Sequence, residues 1–392
     1  MSNYLTLVKF ELMKIMKRKT AIITLVIMML VMAGMACMDI FLVDETGESG
    51  YVMMQNYREQ SLHLNGRLID DELLCKMRES FAGAGNPSDS AASDEIQHDF
   101  TNPYRAVYVL TKSIVGAKNV FSVDAKTLYE TREAYIENMW DEYYLTEGEK
   151  EYWRDKKTEV VTPFTYEYTY GSTKTIVEVY TCSVLMLLFV AVALAAVFSD
   201  EYNKGMDKLI MSTRYGKART YFAKISAGAI FAFAGALLMA LSGAIPTLLI
   251  YGAEGMDAAI QLYIENSPFP MTVGEVLIAF FLIYLVTAFL YAALTMFFSQ
   301  VFKNSIASMG IMVAFMLIEM CLTVPGNLRV LAQIFDLLPS NVLAIWSLFD
   351  CKLVPWFGGY LTNLQFAPIA YATLTVALVL IGKLIQRRRE EV

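Results

Sequence analysis

The sequence is poor in the residues from which active sites and metal sites are usually built. Among its 392 residues are 2 His and 5 Cys, and only 18% of the residues are charged. It has no C-x-x-C pair and no H-E-x-x-H, G-x-S-x-G or G-x-G-x-x-G pattern. It also lacks the G-x-x-x-x-G-K-[ST] pattern, so the chain cannot itself cradle the phosphates of ATP. These absences argue against an enzyme, and we expect His63 and His98 to be surface or packing residues.

Apolar residues are in excess. They make up 56% of the chain, and the mean hydropathy is +0.43, whereas soluble domains are about 45–50% apolar. A membrane-spanning helix needs about 20 mostly apolar residues. Six segments meet this requirement, so we expect an all-α polytopic membrane protein with six transmembrane helices. The segments are Thr20–Val43, Ile176–Phe198, Phe222–Tyr251, Val273–Phe298, Ser305–Val324 and Pro368–Ile385.

The basic residues occur in alternate loops. Half of the 32 Lys and Arg lie before span one, between spans two and three, between spans four and five, or after span six. The short loop between spans three and four has none. Since short cytoplasmic loops carry an excess of Lys and Arg, we expect both termini in the cytoplasm and the chain in the plasma membrane. Residues 1–19 then form a cytoplasmic interface helix, and residues 368–392 form span six with a basic tail.

Residues 44–175, between spans one and two, are expected to form a mainly α extracytoplasmic domain. This segment holds 24 acidic and 14 basic residues. Apolar spacing predicts helices over Asn56–Ser80 and Asp124–Tyr144. Thr146 and Glu149 have the spacing of a capping box, which predicts a helix from there through Lys157.

Two further outer segments are less regular. Aromatic residues alternate with polar ones from Phe164 to Tyr170, which predicts a short strand or an extended lead into span two. These rings either pack the domain onto its own spans or form a belt facing substrate or lipid. Residues 325–367 are expected to form short extracytoplasmic helices. Asp336 and Pro339 interrupt the apolar stretch Leu328–Phe349, which leaves no apolar run long enough for a span.

The cysteines are expected to act mostly as small apolar side chains. Cys37, Cys182 and Cys321 lie inside apolar runs, where buried thiols are common. Cys75 and Cys351 could both face the outside, and the sequence leaves open whether they pair.

The cytoplasmic segment 199–221, between spans two and three, carries the most informative pattern. It combines an acidic residue, a glycine, an apolar pair and several basic residues, and a lysine begins span three. Positive charge here also follows from topology alone. A short helix that is apolar on one side and charged on the other suits docking into a groove on a soluble partner. The residues concerned are Glu201, Gly205, Leu209, Ile210, Arg214, Arg219 and Lys224.

This pattern resembles that of the type-2 ABC exporter permease family. Members share the acidic residue after span two, the glycine about four positions on, the apolar pair and the lysine entering span three. The chain departs at Met206 and at Tyr215-Gly216, where the family usually has Thr and often Pro. The interface helix before span one also resembles the family. The large outer domain resembles a subgroup from Gram-positive bacteria that includes sodium-efflux and antimicrobial-peptide permeases.

The resemblance implies a permease subunit that is not itself an enzyme. ATP and Mg would be bound by two copies of a partner ABC ATPase, with no cofactor, metal or nucleic acid bound by this chain. A second permease chain would complete a homodimer in the lipid bilayer. The cargo would be amphiphilic, a peptide or a drug-like molecule. The alternatives are a sodium- or cation-efflux permease, and a membrane sensor or signalling anchor whose outer domain binds a ligand.

Three carboxylates lie inside the expected spans, where a charge is costly and indicates function. Asp39, Glu178 and Glu319 should all sit in the outer leaflet. They are candidates for an acidic outer vestibule that favours cationic or amphipathic cargo. The alternative is that their side chains reach up to the lipid headgroups.

Overall fold

The computed structural model describes residues 2–41, 43, 47, 49–83, 90–206 and 218–390. These residues are mostly helical, with one sheet of two short strands. The described helices before the undescribed stretch 207–217 are α1 (Ser2–Met16), α2 (Lys19–Ala36), α3 (Gly50–Leu62), α4 (Asp71–Ser80), α5 (Ser90–His98), α6 (Arg105–Val115), α7 (Ala125–Glu142), α8 (Glu147–Lys157), α9 (Tyr170–Leu194) and α10 (Ser199–Asn203). Those after it are α11 (Ala218–Tyr251), α12 (Val273–Phe302), α13 (Ser305–Cys321), α14 (Arg329–Asp336), α15 (Pro339–Val342), α16 (Ile345–Leu348) and α17 (Asn363–Glu390).

Five of the described helices, α2, α9, α11, α12 and α17, are long and apolar enough to cross a membrane. This confirms a multi-pass membrane protein. The expected fifth span corresponds to α13, an apolar helix of 17 residues, which is about 26 Å long at 1.5 Å per residue. The count of six spans therefore stays a prediction. Helix α2 is shorter than the predicted Thr20–Val43, because it ends at Ala36 and a 3₁₀ turn follows at Met38–Phe41.

Helix α9 is the centre of the spanning bundle. It packs against α2, α11, α12 and α13, and it buries the largest share of its surface among the five long apolar helices. Helix α1 lies along α11, and α17 packs mainly on α12 while leaving most of its surface exposed. Helix α11, which begins at the end of the coupling segment, therefore contacts both the central helix and the N-terminal helix.

Gly171 lets the outer end of α9 approach the end of α11 closely. A Cβ atom at this position would overlap the carbonyl oxygen of Gly252 and crowd that of Tyr251. Both obstacles are backbone atoms, which cannot turn aside as a side chain can. This contact sets the distance between the two helices at the outer surface.

Gly171→Ala is therefore expected to lower the free energy of unfolding by about 1–3 kcal/mol, the usual cost of overpacking. Thermal unfolding of the purified protein in detergent measures this. Gly34→Ala in α2 is the control, because no described atom lies within 4 Å of its added Cβ. An equally small loss in both variants would contradict the prediction.

The outer segment is helical, as predicted, but its hydrophobic residues belong to three clusters, the smallest of which holds Met54 of α3. Helices α4 and α6 share one core with Phe164 and Tyr166. Trp140 of α7 and Trp153 of α8 instead join the core of the spanning helices. The indole N–H of Trp153 donates to the carbonyl of Cys351, 2.6 Å away.

The predicted helix Asn56–Ser80 is wrong as a single element. Helix α3 ends at Leu62, and Gly66 follows in the left-handed region at φ 81°. Asp70 then caps α4 by accepting a hydrogen bond from the backbone N–H of Leu73. A glycine conformation and a cap residue thus divide a stretch whose apolar spacing looks continuous.

Two local predictions are confirmed. Thr146 and Glu149 form the capping box of α8, with both reciprocal hydrogen bonds present. The aromatic stretch before α9 is extended, with a bridge between Leu68 and Thr165. Its rings at Phe164, Tyr166 and Tyr168 are buried, so they pack the protein's interior rather than facing substrate or lipid.

The all-α expectation is wrong in one place. Residues 325–367 hold three short helices as expected, and then an antiparallel hairpin of β1 (Leu353–Trp356) and β2 (Gly359–Thr362). Phe357 and Gly358, the two turn residues, both have positive φ, at 42° and 86°. Two positive-φ residues suit the tight turns that match strand twist. The Phe-Gly pair between apolar residues was the available signal for this hairpin.

Glu149 ties the outer helices to this hairpin. Besides capping α8, its carboxylate forms an ion pair with Arg329 at the start of α14 and accepts from the backbone N–H of Leu353, 2.9 Å away. The side chain is buried, and three separate parts of the outer structure meet at it. Two of those parts lie about 200 residues further along the chain.

All five cysteines fall within the described ranges and are free thiols. Cys182 and Cys351 are buried, Cys37 is half-buried, and Cys75 and Cys321 are exposed. Cys75 and Cys351 therefore do not pair. Cys321 is not the core residue expected from its apolar run, since it lies at the exposed end of α13.

Candidate functional site

Glu201 is the centre of an ionic cluster at the end of the bundle that carries the predicted coupling segment. Lys14 of α1 donates to one oxygen of its carboxylate at 2.9 Å, and Lys224 of α11 pairs with the other oxygen. Lys14 also donates to Glu11 at 2.8 Å. The cluster therefore joins α1, α10 and α11 through one carboxylate.

The cluster is buried on the side of Lys224 and Glu11, whereas the side chain of Lys14 is 35% exposed. Lys224 is 4% exposed and Glu11 is also buried. Charges taken out of water are stable only when paired and hydrogen-bonded, and here two lysines face two glutamates. Burial alone would lower the pKa of Lys14, but its bonds to Glu11 and Glu201 raise the pKa above the usual value. Lys14 therefore stays charged at physiological pH.

Two further contacts hold α1 in place. Arg18, in the link between α1 and α2, forms an ion pair with Asp200 at 3.1 Å and donates to the carbonyl of Ala196 at 2.7 Å. Near the other end of α1, the hydroxyls of Tyr4 and Ser226 are 2.9 Å apart. The N-terminal helix is thus attached to both sides of the coupling segment.

Beside the cluster is an open cavity of about 320 Å³, whose walls include Lys14, Arg18, Asp200 and Met206. Gly205 ends α10 in the left-handed conformation at φ 64°, which glycine adopts without a steric penalty. The N–H of Met206 then bonds back to the carbonyl of Glu201 at 2.9 Å. The glycine of the pattern therefore turns the chain at the edge of this cavity.

The predicted coupling residues are only partly placed. Glu201, Gly205 and Lys224 lie together as described above, and Arg219 is in the first turn of α11. Leu209, Ile210 and Arg214 lie outside the described residues. The roles of all seven in coupling stay predictions.

Sequence reasoning missed Glu11 and Lys14 as members of this cluster. Both belong to the predicted interface helix, but nothing linked them to a residue almost 190 positions away. The one signal was that Glu11 is the single acidic residue of the basic segment 1–19. An acid on the apolar side of such a helix indicates a buried ion pair.

Asp39 and Glu178 lie near one another, close to the N-terminal end of α9. Asp39 accepts from Lys174 at 2.5 Å and from the hydroxyl of Tyr251 at 2.8 Å, so a cation already balances it. Glu178 is buried on α9, opposite Gly243 of α11, and within electrostatic range of Asp39 and Lys174. Its burial means that its carboxylate does not reach up to the headgroups.

Glu319 occupies a different place. It is buried on α13 and accepts from the backbone N–H of Ser340 in α15 at 2.8 Å. Its electrostatic neighbours are Tyr291 and Tyr371, not the pair around Lys174. The three carboxylates thus lie in two settings, and their place in a substrate path stays a prediction. Within the described ranges, no group of three or more His, Cys, Asp or Glu could hold a metal ion.

Comparison with known proteins gives one match. A sequence profile of the family described as "ABC-2 family transporter protein" matches residues 87–349. The matched region runs from the outer segment through α9 and the coupling segment to the short helices before the hairpin. No curated protein and no solved structure matches the chain.

Proposed function

Because the chain belongs to the ABC-2 transporter family, we propose that it is the permease subunit of an ATP-driven exporter of amphiphilic molecules. The observation that supports this most is the Glu201 cluster. Its central residue, Glu201, lies within the predicted coupling segment, and the cluster connects that segment to α1 and α11.

The cluster offers a physical route from a docked ATPase to the spans. A displacement at Gly205 is carried into Glu201 four residues earlier, and Glu201 is bonded to two other helices. Since the pair of Lys224 and Glu201 is largely buried, moving one of the two alone would leave a charge in a poorly solvated site. Helices α1, α10 and α11 are therefore expected to move together, which is how packed elements switch between discrete arrangements.

The partners follow from the same proposal. A pair of ABC ATPase subunits would bind ATP and Mg at the basic cytoplasmic side, and a second copy of this chain would complete a homodimer. The family places the chain with an ABC ATPase and a membrane. The subunit numbers and the amphiphilic cargo, a peptide or a drug-like molecule, are the proposed part.

The test is reconstitution. We expect the tagged permease to copurify with an ATPase that has the G-x-x-x-x-G-K-[ST] pattern, and amphiphilic peptides to stimulate ATP hydrolysis by the complex in proteoliposomes. A variant of the ATPase in which the lysine of this pattern is replaced is the control for background hydrolysis. Stimulation by sodium ions alone would instead identify a cation exporter. Failure to bind any such ATPase would overturn the proposal in favour of a sensor.

A further inference from the structure

A second cavity lies on the outer side, between α13, the short helices α14–α16 and the end of α7. Its volume is about 630 Å³, within the range of sites for small organic molecules. Carboxylates and aromatic rings form its walls, among them Glu319, Asp336 and Asp350 with Tyr180 and Trp346. This combination of side chains is suited to positively charged groups on an apolar body.

The charge in the cavity is not balanced. Its lysine, Lys352, pairs with Asp336 at 2.5 Å and with Asp350 at 2.6 Å. That lysine is therefore held away from Glu319 by two carboxylates of its own. The cavity keeps a net negative charge, and Glu319 forms no ion pair with any described residue.

Glu319 is the strongest indication of a ligand. The residue is 1% exposed and lines the cavity. One carboxylate oxygen accepts from Ser340, but the other is buried and has no hydrogen-bond partner in the part of the chain that the structure describes. A buried polar atom without a hydrogen-bond partner lowers the stability of the fold, and native structures rarely contain one. A donor that enters the cavity would satisfy it.

An aromatic wall completes the site. The rings of Tyr180 and Trp346 meet edge to face with centroids 5.3 Å apart. Trp346 is 69% exposed although it is one of the largest apolar side chains of the protein. A large ring held in place and left uncovered provides a surface for apolar groups and cations.

We propose that this cavity binds an organic cation, with an ammonium group donating to the free oxygen of Glu319 and an apolar body packed on Trp346 and Tyr180. This inference rests on the proposed function in one respect only, which is that the bound cation is the transported cargo. Binding itself requires neither ATP nor the partner ATPase, so the two ideas are tested separately.

The experiment uses the full-length permease in nanodiscs and n-octylammonium as the probe, with octan-1-ol as its uncharged analogue. Binding is followed by tryptophan fluorescence, and empty nanodiscs correct for partition into lipid. We expect wild-type protein to bind octylammonium about tenfold more tightly than octanol, and Glu319→Gln to lose most of that preference. Glu151→Gln, on the exposed face of α8, is the matched charge control and should bind like wild type.

Trp346→Ala provides a second test that does not depend on a buried substitution. Its exposed side chain can be removed with little effect on folding. Binding of both probes should weaken, as measured by isothermal titration calorimetry on this variant and the wild type, because the variant lacks the fluorescent ring at the site. Unchanged octylammonium binding in Glu319→Gln and Trp346→Ala would overturn the inference, as would equal binding of octanol and octylammonium. Displacement of the probe by millimolar sodium in the wild type would also overturn it, because an inorganic cation would then be the ligand. Binding that persists without ATP-driven transport would refute the proposed function and leave this site standing.

Discussion

Glu201→Gln is expected to reduce ATP-driven transport by about tenfold or more, the effect of losing about 1.4 kcal/mol of coupling between two sites. The substitution keeps the shape of the side chain but removes the charge that Lys14 and Lys224 share. Lys224 is then buried without a full counter-charge, and breaking a buried pair in this way costs about 3 kcal/mol of stability. Transport into inverted vesicles and thermal unfolding in detergent measure the two effects.

A double variant separates coupling from stability. Glu201→Gln with Lys224→Met removes both charges, and replacing both members of a buried pair is often nearly neutral for stability. We expect the double variant to regain most of the lost stability but not the transport, because the link between α10 and α11 is still absent. Glu159→Gln, in an exposed ion pair with Lys156, is the control and should change neither quantity measurably. Full recovery of transport in the double variant would show that the cluster serves stability alone.

Glu149→Ala is expected to destabilise the outer structure by about 3 kcal/mol. The substitution breaks the α8 capping box, the ion pair to Arg329 and the hydrogen bond from Leu353, and it leaves the guanidinium without its carboxylate. Glu275→Ala is a matched control, because Glu275 forms the same capping box with Thr272 on α12 but is exposed. Its loss should cost about 1 kcal/mol, the usual value of a cap.

Thiol labelling reports the destabilisation caused by Glu149→Ala at one position of the outer structure. Cys351 is buried beside Trp153, so it should react slowly with maleimide in the parent protein and much faster when Glu149 is replaced. The comparison is made with Cys37, Cys75 and Cys321 changed to Ser, because those thiols are exposed or half-buried. Equal labelling rates with and without Glu149 would refute the idea that this residue holds α8 and the hairpin together.

The same residue gives a pH dependence. Burial alone would raise the pKa of Glu149, but the backbone N–H groups of Thr146 and Leu353 and the charge of Arg329 hold that pKa below its usual value. The stabilisation is therefore present above the unfolded pKa, about 4.3, and is lost as pH falls through the lower folded pKa. Glu149→Gln should flatten this acid limb of the stability curve.

Long apolar runs made most of the bundle predictable, because lipid requires helices to satisfy their own backbone hydrogen bonds. The capping box at Thr146 was equally readable, since both partners lie within four residues. The pairing of Lys14 with Glu201 was not, because nothing in local sequence specifies which distant charge a helix will meet. Likewise, apolar spacing predicted one helix over Asn56–Ser80, because the spacing of apolar residues carries no information on the left-handed conformation of Gly66 that breaks the helix.

The division of the outer segment among several hydrophobic clusters has a consequence for how the protein can be altered. Helices α4 and α6 share a core, and α7 contributes Leu128 to that core as well. Helices α7 and α8 share their interior with the spans. An antibody fragment that binds α8 therefore contacts a helix packed directly on the spans. One that binds α4 reaches the spans only through α7 and the residues that lead into α9.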